Sequence, residues 1–176
     1  DGRLLTDIAE IRGQDPREAL FDLMVDENLG ISMVGLGTNV HTLAAFVSHP
    51  YGMIASDAIL FGEYPNPRSY GCFPLVLAEF VRAEKHLKLP EAIRKMTWFP
   101  AQRLGLPDRG LLRDGYRADV VVFDPEAVRT DATRDDPKRY PVGIEQVIVN
   151  GQVVIDRGEN TGALPGRALR RGRART

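Results

Sequence analysis

Gly52-Met53-Ile54-Ala55-Ser56-Asp57 decides the reading of this chain. Four small or apolar residues followed by a hydroxyl and a carboxylate describe a buried strand over Met53 to Ala55 that ends in an ionisable group. Burying a charge is costly unless it is paired or has a task. In parallel α/β proteins, chemistry gathers at the C-terminal ends of strands, where the following loops converge. Asp57 is therefore the leading candidate for a functional side chain.

Upstream, Asp15-Pro16-Arg17-Glu18 reads as a helix start. Asp15 can cap, Pro16 suits the first helical position, and Glu18 sits three residues after the cap. Ala19, Leu20, Leu23 and Met24 recur at helical spacing, and Gly30 reads as the stop. Ile31 to Val34 reads as a short strand. Thr38 to Ser48 reads as a helix with Leu43, Ala44 and Val47 on one side, broken by Pro50. Helix, strand, helix, strand with apolar strands argues for a parallel sheet covered by helices.

Downstream of Asp57 lies a loop punctuated by Gly62, Pro65, Pro67, Gly71 and Pro74, placed to wall a site. A long helix is expected from Phe73 to Lys88, with Val76, Leu77, Phe80 and Val81 inward. Leu89-Pro90-Glu91 opens another, with Ala92, Ile93 and Met96 inward, and Pro100 to Leu104 reads as a short helical turn. Near Asp108 the character changes. Ala118 to Asp124 holds a strand of Val120, Val121, Val122 and Phe123, and Ile144 to Val149 is β-rich. Asn150-Gly151 joins that run to Gln152–Ile155, a strong hairpin signal. An isolated hairpin is marginal in water, so partner strands are expected from elsewhere.

The composition is that of an ordinary globular chain: 176 residues, 43% hydrophobic and 27% charged, with a net charge of −1. Residues 166–176 carry five arginines and no acid, leaving about −6 on the remainder. No aromatic residue interleaves with those arginines, so the tail reads as a solvated terminus and not as a nucleic-acid site. The single cysteine, Cys72, excludes an intrachain disulfide framework and a Cys-x-x-Cys metal site, and points to a reducing, cytoplasmic setting. No run reaches transmembrane length, so no membrane partner is expected. The chain opens on Asp1, which reads as a piece of something longer or as a processed product.

Three stretches together resemble one family: Met53-Ile54-Ala55-Ser56-Asp57; Met96-Thr97-Trp98-Phe99-Pro100-Ala101 with Leu104-Gly105-Leu106; and the run from Arg109 to Phe123, RGLLRDGYRADVVVF. The chain is similar to the C-terminal part of an amidohydrolase-superfamily enzyme. The third stretch resembles the signature where such chains leave the barrel and enter a β-sandwich. Pro67-Arg68-Ser69-Tyr70-Gly71-Cys72-Phe73-Pro74 resembles, more closely, the loop that follows the catalytic aspartate in the N-acyl-D-amino-acid deacylases, or D-aminoacylases. Asn66 stands where that group usually has histidine, and Ala58 where it usually has glycine.

The resemblance implies an α/β fold made of the last two strands and helices of a (β/α)8 barrel over residues 1–107. Part of a small β-sandwich follows over 108–165; the resemblance stops there, and residues 166–176 read from composition alone as an Arg-rich disordered tail. The resemblance implies hydrolysis of the amide of a small-molecule N-acyl amino acid by zinc-activated water. Asp57 matches the carboxylate that moves the proton. Arg68 matches the arginine that contacts the substrate carboxylate, a task suited to a planar guanidinium fork. Ser56 belongs to the same motif and is assigned to substrate binding. The family's His-x-His, its bridging ligand and its later histidines are not found in these residues, so the zinc ligands are expected mainly outside them, with Asp57 the one candidate inside. Residues 1–176 alone are then expected to be inactive, and to need the remainder of a barrel or a second copy as partner.

Other residues read more plainly. His41 and His49 fit structural or surface roles, and His86 in Glu84-Lys85-His86 reads as exposed. Cys72 reads as a small packed side chain, Trp98 and Met96 as helix packing, and Asp119 as a turn or strand-start residue. The alternatives are another amide hydrolase of the superfamily, dihydroorotase- or hydantoinase-like, and a non-catalytic remnant with a binding role.

Overall fold

A computed structural model describes residues 2–170 apart from 32, 34 and 36–38. Six α-helices and a π-helical segment precede a four-stranded sheet. Helix α1 (Leu5–Arg12), which the sequence reading did not anticipate, packs beside α2 (Pro16–Asp26). The start of α2 is as expected: Asp15 accepts a hydrogen bond from the Arg17 amide, and Pro16 takes the first turn. Its end differs in detail. The left-handed turn falls on Asn28 and Leu29 and not on Gly30. The strand expected over Ile31–Val34 lies partly outside the described residues, and Ile31 and Met33 are in no strand.

Helix α3 (Val40–Ser48) is capped by Asn39, whose side chain accepts from the Thr42 amide. After Pro50 the chain runs extended from Gly52, but Met53–Ala55 is not a strand. An extended segment becomes a strand only when a neighbour supplies a ladder, and no described residue pairs with it in one. The Ile54 amide instead donates to the Lys95 carbonyl at 3.2 Å. Burial nevertheless alternates from Gly52 to Asp57, with Ile54 turned toward α3 and the π-helical segment and Met53 turned outward.

The helix expected from Phe73 begins five residues earlier. Helix α4 (Arg68–Leu75) takes Gly71 and Pro74 out of the supposed loop. Asn66 accepts from the Arg68 amide at 3.0 Å, and Pro67 starts the turn. Pro74 lacks an amide, so one rung of the α ladder is missing there, and the chain continues as a π-helical segment over Val76–Ala83. It ends at Ala83, and Lys85 two residues on takes a left-handed conformation (φ 56°). Val76, Leu77, Ala78 and Phe80 are buried. Helix α5 (Leu89–Met96) and helix α6 (Trp98–Leu104) follow, and Gly105 (φ 70°) closes α6.

The sheet is an antiparallel meander of β1 (Val120–Phe123), β2 (Ile144–Val149), β3 (Gln152–Asp156) and β4 (Glu159–Asn160). The hairpin's partners therefore come from within the chain, β1 on one side and β4 on the other. The β2–β3 turn is Asn150-Gly151, with positive φ at both residues as this turn type requires. Phe123, Val128 and Ile144 pack with Leu77, Leu87 and Ala92, so sheet and helices share one core. Arg82 fastens the two layers by donating to the carbonyls of Pro125 (2.8 Å) and Val128 (3.0 Å).

Candidate functional site

The segment from His49 to Ile59 is held along its length by two helices. Helix α5 holds its start through Lys95 and the Ile54 amide. Helix α4 holds the rest. The Cys72 thiol lies 3.5 Å from the Ala55 carbonyl, and the Ser69 hydroxyl donates to the Ile59 carbonyl at 3.2 Å. Between those contacts Asp57 adopts a left-handed backbone (φ 48°), which is uncommon for a residue with a side chain but more frequent for aspartate than for most. Its carboxylate Oδ2 accepts from Arg68 Nη2 at 2.5 Å.

The structure thus brings Asp57 and Arg68 together across eleven residues of sequence. It also corrects one expectation. Asp57 is not a buried charge, because its side chain is 79% exposed and that of Arg68 47% exposed. The extended segment opens outward at Asp57 into an exposed run that includes Ile59, Leu60 and Phe61. An ion pair so exposed contributes little stability, so its geometry matters for what it presents and not for holding the fold. Ser56 is half-buried beside it. Asn66, in place of the resembled histidine, fixes the first turn of α4 and hence the origin of the Arg68 side chain.

Burial raises the pKa of the Cys72 thiol above its ordinary 9.0, and the nearby Arg68 guanidinium pulls it back down in part. Cys72 is accordingly a packed thiol. His41 is exposed on α3, and His49 Nδ1 accepts from the Tyr51 amide at 3.3 Å. His86 pairs with Glu84 at 3.0 Å on the surface. Met96 packs against both core clusters. Asp119 accepts from Arg109 Nη1 and from the Asn150 amide (2.8 Å), which pins the hairpin turn to the start of the sheet. The side chain of Asn150 in turn accepts from Arg109 and donates to the Pro165 carbonyl. The Arg109–Phe123 signature is therefore architectural.

Sequence reasoning missed Lys95. It is the one buried charged side chain among the described residues, and its ammonium donates to the carbonyls of His49 and of Gly52 (2.9 Å). A signal was available: Lys95 follows Ala92 by three residues on the same helix, so the two share one face, and Ala92 falls on the inward stripe.

The sequence profile of the Amidohydrolase family matches residues 1–155. The chain belongs to the amidohydrolase family. Within that family it is 40% identical over 172 residues to an N-acyl-D-aspartate deacylase of Alcaligenes xylosoxydans xylosoxydans, an alignment covering 94% of this chain and 34% of that protein. A D-aminoacylase variant in complex with copper superposes with a TM-score of 0.87 at 32% identity, over 96% of this chain and 35% of that one. An N-acyl-D-glutamate deacylase from Bordetella bronchiseptica, complexed with zinc and a phosphonate inhibitor, superposes with a TM-score of 0.78 at 35% identity, over 86% of this chain and 31% of that one. This amidohydrolase chain spans about a third of the length of these relatives. Among its described residues no three His, Cys, Asp or Glu side chains cluster as a metal site would require. The donors present therefore do not by themselves fit a catalytic zinc, which takes three protein ligands.

Proposed function

We propose that this chain is the C-terminal portion of a metal-dependent amidohydrolase that removes the acyl group from N-acyl-D-amino acids. In this reading residues 1–107 are the last barrel segment, 108–165 contribute to a small β domain, and 166–176 form an Arg-rich tail. The two strands expected of that barrel segment would form only beside the rest of the barrel. The metal, zinc in the related glutamate deacylase, would be held mainly by residues outside this chain.

The observation that carries the reading is the meeting of Asp57 and Arg68 at 2.5 Å on an open surface, in a chain similar to three kinds of D-amino-acid deacylase. Hydrolysis adds a water oxygen to the acyl carbon, breaks the carbon–nitrogen bond and delivers a proton to the departing amine. Asp57 takes the proton from the water and passes it to that nitrogen. Arg68 binds the α-carboxylate of the substrate. A guanidinium has five N–H donors, so Arg68 can grip that carboxylate while it also orients Asp57. Ser56 lines the same wall and contacts the substrate.

The test is acyl release from matched N-acetyl-D- and N-acetyl-L-amino acids by the whole polypeptide, with an Asp57→Ala variant alongside. Turnover of the D series that vanishes in the variant is expected. Turnover that survives Asp57→Ala, or no turnover of either series, refutes this assignment. Residues 1–176 purified alone are expected to bind less than one zinc per chain and to release no acyl group.

A further inference from the structure

We propose that Lys95 is the positioning residue for Asp57. The side-chain ammonium gathers the carbonyls of His49 and Gly52, while the Lys95 carbonyl accepts from the Ile54 amide at 3.2 Å. One residue of α5 thereby grips the extended segment on both sides of its first turn, just upstream of Asp57.

A fully buried ammonium is an expensive device. Its desolvation disfavours the charge, and burial accordingly lowers the Lys95 pKa. A methionine of similar length would fill the same space without that cost. The nearest carboxylate on its own helix, Glu91, is engaged by Arg94 at 2.8 Å, so the ammonium is not held there by a direct ion pair. What it does engage is backbone. Gly52 is shaped for this: a Cβ there would stand 2.6 Å from the Phe46 carbonyl oxygen and 3.1 Å from that of His49, the same carbonyl that Lys95 binds. The turn is thus compact because residue 52 has no side chain, and it is locked because Lys95 ties its two carbonyls together.

The consequence is geometric. Asp57 lies five residue steps beyond Gly52, a lever of at most about 17 Å at roughly 3.3 Å per step. A swing of about 5° at the turn moves the carboxylate by about 1.5 Å, and misplacements of about 1 Å can cost roughly a hundredfold in rate. The contacts from Cys72 and Ser69 lie nearer the end of the lever, but neither sets the direction in which it leaves the turn.

The catalytic part of this inference rests on the deacylase reading, and its structural part does not. The experiment uses the whole polypeptide and three variants: Lys95→Met, Lys95→Gln as a second variant should the first not fold, and Asp119→Ala as a destabilised control on the sheet. Hydrogen exchange read by mass spectrometry on peptides spanning residues 49–58 is expected to be at least tenfold faster in either Lys95 variant and unchanged in Asp119→Ala. Steady-state kinetics are expected to show kcat reduced about ten- to a hundredfold, with KM within about twofold. Unchanged protection over residues 49–58, or a loss equal to that in Asp119→Ala, overturns the proposal. So does a kcat that stays at the wild-type level. If wild type hydrolyses no N-acyl-D-amino acid, the deacylase reading fails, and the exchange data still decide whether Lys95 holds the segment.

Discussion

Helix α4, which carries Arg68 and Cys72, is pressed against the loop after β1 at Gly71. A Cβ on Gly71 would lie 2.1 Å from Thr130 Oγ1, 2.7 Å from Thr130 Cβ and 3.1 Å from Thr130 Cγ2. Gly71→Ala therefore sets two effects against each other. Alanine improves on glycine in a helix by about 1 kcal/mol. Forcing one methyl into an occupied space costs roughly 1–3 kcal/mol. Crowding wins, and the net loss is about 1 kcal/mol, the difference between the middle of that range and the helix gain. A double-mutant cycle isolates the crowding. Thr130→Gly removes all three close atoms, while Thr130→Ala leaves the Cβ at 2.7 Å and relieves only part. Thr130 Oγ1 also accepts from the Ala132 amide, but that loss occurs in the single and the double variant alike and cancels. Urea denaturation of the four proteins is expected to give a coupling of about 2 kcal/mol, with Gly71→Ala stabilising once Thr130 is glycine. A coupling below about 0.5 kcal/mol, or a Gly71→Ala variant more stable than wild type, refutes the packing argument.

Further outcomes follow from other contacts. Asp119→Ala strands the Arg109 guanidinium and the Asn150 amide, and thermal denaturation should register a loss of roughly 1–3 kcal/mol, with KM for substrate unmoved. Gly151→Ala places a side chain at φ 80° and should cost about 1–2 kcal/mol in the same assay. Alkylation of Cys72 by iodoacetamide should inflect above pH 9.0, because burial raises its pKa, and Arg68→Met should move the inflection higher still, since the guanidinium lowers it. By linkage, a raised folded pKa means that the stability Cys72 contributes is fully present below pH 9.0 and lost as pH rises through the folded value. Cys72→Ala should flatten that alkaline decline in denaturation midpoints, and a wild-type decline that persists in the variant assigns it to another group.

What was legible in the sequence was local. Asp15-Pro16 and Asn150-Gly151 declare themselves because a cap and a left-handed turn are made by the residues that stand there. The start of α4 was misread for the same reason turned round. Pro67, Gly71 and Pro74 are strong punctuation, but Asn66 caps the turn, Pro67 begins it, and Pro74 exchanges an α ladder for a π ladder instead of ending the helix. Met53–Ala55 has the composition of a strand without being one, because strandedness belongs to a pair and composition to a single segment. The site divides along the same line. Asp57 was readable from the apolar run it ends and Arg68 from the resemblance of its loop, and the structure adds that they meet. Lys95 lies 38 residues beyond Asp57 on a separate helix, and its role is visible only once the carbonyls it binds are in place. A lysine on the inward stripe of a helix is, at sequence level, a conflict between charge and burial. Such conflicts mark functional or strained positions more often than errors of pattern, and here the conflict falls at the root of the segment that carries Asp57.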